Sequence, residues 1–105
     1  MSEIKTKMYI LIPDDVPLGH AINSAAHASL ACYLKFKDHP SMQPWLDYSF
    51  RKVTVKVTRK EFEQAKDEYG WVLLTESALN GQEVALVFHP RENWPERFKF
   101  FPLYR

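Results

Sequence analysis

Two histidines, an asparagine and a serine are threaded through the stretch "GHAINSAAHASLACY", residues 19–33. On a helix turning about 100° per residue, His20, Ser24 and His27 fall within about 60° of one another, and Asn23 borders them. Imidazole exchanges protons near neutral pH, which makes His20 and His27 candidate general bases or acids. Asn23 and Ser24 are candidate polar groups for positioning a substrate. The stripe starts at a helix N-terminus, where unpaired backbone N–H groups and the helix dipole favour an anionic ligand. The same spacing also suits a plain solvated face, with Ile22, Ala25, Ser29, Cys32 and Phe36 turned to the core. A His–Ser pair one turn apart is not a hydrolase triad without an orienting acid, and spacing alone names none. No metal site is expected, because His20 and His27 are about 10 Å apart along the helix and no HxxxH or CxxC spacing occurs.

A second group of candidates is basic. Arg51, Lys52, Lys56, Arg59 and Lys60 form the densest run of positive charge. Lys52, Lys56 and Arg59 could contact phosphate, or the lysines could simply protect an exposed strand from pairing with another chain. In the tail, Trp94, Phe98, Phe100, Phe101 and Tyr104 alternate with Arg97, Lys99 and Arg105. Such rings can stack on bases, but docking on the core or a subunit contact is their commoner use.

These residues need a scaffold, and the hydrophobic patterning supplies one. "KMYILIP", residues 7–13, reads as a buried central strand closed by proline. A helix follows over residues 19–36, then a Pro-containing loop over 38–48 with one helical turn after Ser41. "FRKVTVKVT" alternates valine with lysine and threonine and is the clearest strand. Thr58 to Gly70 predicts a three-turn helix with a capping box between Thr58 and Glu61. "WVLLTE" and "QEVALVF" are two further strands joined by a short "SALNG" connection. A strand–helix–strand start favours parallel pairing and a short final connection antiparallel pairing. The expected fold is therefore α/β: one domain over residues 1–105, with helices packed on a four-stranded mixed sheet.

Bulk composition narrows the classes. At 105 residues, 46% hydrophobic, the chain has material for one core, and a net charge of +1 gives no global attraction to nucleic acid. A lone cysteine, Cys32, excludes an internal disulfide framework and suits a buried thiol in a reducing compartment. The N-terminal apolar run is too short for a secretion signal and none is long enough to span a membrane, so a cytoplasmic location is expected.

From Lys7 to Tyr33 the chain resembles the class II peptidyl-tRNA hydrolases, whose first strand leads through an acidic turn and a Gly-Lys pair into a helix ending Gln-Cys-Ala-His-Ala. The resemblance extends to "NGQEVALVFHP", similar to that family's last strand, and to the terminal "FPLYR". It implies a mixed α/β fold of that type, tRNA as partner, and hydrolysis of the ester joining peptide to tRNA; no feature of the sequence calls for a cofactor. Residue by residue, His27 and Ala28 keep the pattern, whereas His20 stands at the lysine, Ser24 at the glutamine and Ala25 at the cysteine. Glu76 falls at about the family's aspartate, and Val84 where a threonine would be. On this basis His20 is expected as the general base or water-positioning group and Glu76 as its orienting acid, meeting at the C-terminal end of the sheet. Asn23, Ser24, His27, Lys52, Lys56 and Arg59 are expected to touch substrate. The alternative is a catalytically silent relative that binds RNA, a small anionic metabolite or a protein in the same groove. A homo-oligomer, a dimer, is the expected assembly.

Overall fold

The computed structural model describes residues 5–105. Residues 1–4, part of the stretch read as too short for a secretion signal, lie outside them. The elements run β1 (Lys7–Pro13), α1 (Leu18–Phe36), α2 (Met42–Pro44) continuing into a π-type turn (Trp45–Ser49), and β2 (Arg51–Val57). They continue α3 (Arg59–Ala65), β3 (Trp71–Glu76), a 3₁₀ turn (Ser77–Leu79), β4 (Gln82–Arg91) and α4 (Glu96–Phe100). The four strands form one mixed sheet in the order β2-β1-β4-β3. β1 pairs parallel with β2 and antiparallel with β4, and β3 pairs antiparallel with β4.

The continuous apolar run of β1 is explained by its place: from Met8 to Pro13 it is buried on both faces. Its pairing is uneven. Contact with β2 persists to Pro13 opposite Val57, while pairing with β4 stops at Leu11 opposite Leu86. The two inner strands therefore part at the end where β1 runs into α1.

The sheet separates two cores of different character. Toward α1 lie Met8, Ile10, Ile12, Ala28, Cys32, Val84 and Ala85. Toward α3 and α4 lie Tyr9, Leu11, Val55, Val57, Phe62, Phe88, Trp94 and Phe98. The second core is built on edge-to-face and stacked rings, with Tyr9 and Trp94 centroids 4.7 Å apart and Trp94 stacked on Phe98 at 5.7 Å. The tail thus docks on its own core through Trp94 and Phe98, while Phe100 stays exposed. The short helix α4, which carries Phe98, has no counterpart in the sequence reading.

Four local expectations need correction. The core line of α1 is Ala21, Ser24, Ala28 and Cys32, so Ile22 lies on the surface at 62% exposure instead of inside. Small residues on that line let the helix lie close to the sheet. Next, α3 ends at Ala65. The chain from Lys66 to Gly70 turns, because Gly70 takes a left-handed φ of 86° and the Lys66 carbonyl accepts from Trp71 Nε1. The capping box between Thr58 and Glu61 is formed as the sequence predicts. Then, the outer edge of β2 is covered by the tail, with Lys56 N–H donating to the Pro102 carbonyl and Tyr104 N–H to the Thr54 carbonyl. Its lysines are not needed to guard a bare edge. Last, Thr54 and Lys56 are half-buried on the α1 side of the sheet and not fully solvated.

Among the described residues no helix is long and apolar enough to cross a membrane.

Candidate active site

The end of the sheet where β1 and β4 part is bounded by the β1–α1 turn, the first turn of α1, the end of β3 and the start of β4. His20 projects from the first turn of α1, and Glu76 is the last residue of β3. Their side chains lie with His20 Nδ1 4.0 Å from Glu76 Oε1. That is ion-pair reach, about 1 Å beyond a hydrogen bond. The other carboxylate oxygen, Oε2, accepts the Ala78 N–H at 3.0 Å and so caps the 3₁₀ turn. One backbone bond therefore fixes the carboxylate with its free oxygen toward the imidazole. A bulge between Leu74 and Thr75 precedes Glu76 and re-aims the strand end. Both side chains are partly exposed, at 36% for His20 and 25% for Glu76, so water reaches the pair.

The α1 N-terminus beside His20 has Pro17 at the cap position, no side-chain cap and no acidic residue in its first turn. No side chain of the helix itself caps these N–H groups, and the end of the dipole favours negative charge near His20, where the Glu76 carboxylate lies.

The remaining candidates divide. Asn23 and His27 are exposed on α1. Ser24 is a correction: it is 2% exposed on the core line, and its hydroxyl donates to the His20 carbonyl at 2.6 Å. This back-bond satisfies a buried hydroxyl and leaves nothing for a substrate. Lys52, Lys56 and Arg59 do not form one patch. Lys52 Nζ sits 3.2 Å from the Phe50 ring centroid and donates to the Phe50 carbonyl, and burial there lowers its pKa. Lys56 Nζ donates to the Arg105 carbonyl and lies over Tyr104. Arg59 is held by Asp15, with Nη2 2.6 Å from Oδ1 and Nε 3.2 Å from Oδ2, and its Nη1 donates to the Glu83 carbonyl at 2.8 Å. Val84 is buried at 2% and offers no polar atom to the site.

Asp15, missed as a site residue, joins this end of the sheet through Arg59 and through Gln82 Nε2 at 3.4 Å. The acidic turn "DD" was the available signal. Glu83 reaches back to Lys66 at 2.7 Å; that bond pulls the carboxyl below its ordinary pKa and raises the lysine.

A second pair of histidines lies at the opposite end of α1. His39 and His89 face each other with centroids 4.0 Å apart, and Phe36 and Tyr69 pack on His89 at 5.0 and 6.0 Å. His89 is 4% exposed, and burial lowers its pKa, with His39 and Arg91 adding to the effect against a hydrogen bond to the Pro90 carbonyl. Gly70 closes the pocket: a Cβ there would stand 2.6 Å from the His89 ring. Among the described residues no three His, Cys, Asp or Glu side chains converge where a metal ion could sit.

The model of the family peptidyl-tRNA hydrolase PTH2 matches residues 6–70, the stretch carrying β1, α1, α2, β2 and α3. This is narrower than the full-length resemblance read from the sequence, and Glu76, β3, β4 and the tail fall outside it. No curated protein matches the chain. More than half of the chain, including the whole β1–α1 segment that presents His20, carries the match, and by that measure this chain belongs to the peptidyl-tRNA hydrolase PTH2 family.

Proposed function

We propose that the chain cleaves the ester bond of peptidyl-tRNA or N-blocked aminoacyl-tRNA with a histidine–glutamate pair. The observation that carries this reading is Glu76, tied by Ala78 N–H and presenting its free oxygen 4.0 Å from His20 Nδ1. With Nδ1–H turned to the carboxylate, Nε2 is the proton acceptor. Water then loses a proton to Nε2 while its oxygen bonds to the ester carbonyl carbon. The bond from that carbon to the ribose oxygen breaks, and the imidazolium returns its proton to the leaving oxygen. The products are a peptide acid and free tRNA. The α1 N-terminus, without a side-chain cap, supports binding of negative charge beside the reacting centre. Asn23 and His27, exposed on the same helix, are the remaining candidates for substrate contact.

The test is turnover of purified protein on both substrates beside His20→Ala. Cleavage that the variant loses is the expected result; absence of cleavage by the parent chain, with tRNA still bound, overturns it. That outcome is the second reading, a relative that binds without cutting. It is favoured by one observation, the buried apolar Val84 at the position the resemblance assigns to threonine.

A further inference from the structure

We infer that Arg59 is a positioning residue for the His20–Glu76 pair and not a phosphate contact; the inference rests on the function proposed above. The two members of the pair come from separate parts of the chain, and Arg59 binds both parts. Through Nη2 and Nε it forks onto Asp15 in the turn that leads into α1, three residues before Leu18. Through Nη1 it holds the Glu83 carbonyl, next to Gln82, which pairs with Glu76 across the β3–β4 ladder.

Arg59 is itself well anchored. It opens α3 within the Thr58–Glu61 capping box, and its guanidinium lies 5.3 Å over the ring of Phe62, which is fully buried. Lys66, just past the other end of α3, grips the Glu83 carboxylate at 2.7 Å, so Glu83 is held at side chain and main chain from the two ends of that helix. The planar fork matters here. A carboxylate taken by two parallel bonds fixes direction as well as distance, which a lysine ammonium at the same place does not. One N–H of each of Nη2, Nε and Nη1 is engaged by a protein oxygen, and the Asp15 carboxylate already neutralises the charge that a phosphate would otherwise pair with.

Arg59→Lys and Asp15→Asn decide the matter, read by the imidazole resonances of His20, by tRNA affinity against salt, and by kcat and KM. Positioning predicts that both variants shift the His20 resonances and lower kcat about tenfold or more, with tRNA affinity and its salt slope unchanged. A phosphate contact predicts the reverse: Arg59→Lys keeps binding and turnover, and Asp15→Asn frees the guanidinium and tightens tRNA. A role in stability alone lowers the melting temperature of both variants with the His20 resonances unmoved. Either of the last two results overturns the inference. If the parent chain cleaves no ester, the hydrolase reading fails, and the resonances still decide whether Arg59 positions His20.

Discussion

α1 carries a histidine site near each end, and the two differ in almost every respect. His20 is partly solvated and faces a carboxylate held by a backbone bond. His89 is enclosed by His39, Phe36, Tyr69 and Gly70, and among the described residues no acid pairs with it. Burial, with another imidazole close by, disfavours the charged form of the His89 ring. One environment suits proton transfer and the other suits packing, although the side chain is the same.

Four measurements press on that contrast. His20→Ala should lower ester cleavage by about 10²- to 10⁴-fold, the usual weight of a general base, with melting within about 0.5 kcal/mol of the parent. A large loss of stability in that variant would place His20 among the packing residues. Gly70→Ala should do the opposite. Its φ of 86° disfavours any Cβ, and the added methyl would meet His89 at 2.6 Å, so a loss of about 2–4 kcal/mol in unfolding free energy is expected, with kcat per folded molecule unchanged.

Glu76→Gln keeps the bond to Ala78 N–H but removes the charge facing His20, and should cost about tenfold in kcat. The drop is smaller than for a buried triad acid because water also solvates this imidazole. The last measurement is pH-dependent stability. His89 is held below its ordinary pKa of 6.5, so the unfolded chain binds a proton more readily than the folded one. Stability should be full above about pH 7 and fall as pH drops through 6.5 toward the lowered folded value. In His89→Phe this slope should flatten between about pH 7 and 5; an unchanged slope would trace it to other groups.

What the sequence disclosed and what it withheld follow a physical division. Local signals survived: the apolar run of β1, the alternating valines of β2 and the Thr58 capping box each depend on residues within a few positions of one another. The rotation of α1 was misread because alanine and serine give a weak apolar face, and Ser24 hides its hydroxyl in a bond to its own helix. The Arg59–Asp15 pair spans 44 positions, and His39 and His89 are separated by 50, so no local pattern could announce either. Glu76 was reached by resemblance and residue type, and its distance from His20 could come only from the fold.

Cys32 shows the same division from the other side. It was expected as a buried apolar thiol, and burial pushes its pKa up to about 12, leaving almost no thiolate at neutral pH.

The early parting of β1 from β4 also bears on motion. Past Leu11 the inner strands share no ladder, and the Glu83 carbonyl takes its bond from the side chain of Arg59. Elsewhere the sheet can open only by breaking main-chain rungs shielded by apolar layers. At this corner closure depends partly on an ion pair that dissolved ions weaken, so amide exchange at the start of β4 should quicken with ionic strength while the centre of the sheet stays indifferent. The corner assigned the chemistry is then also the one that breathes most readily.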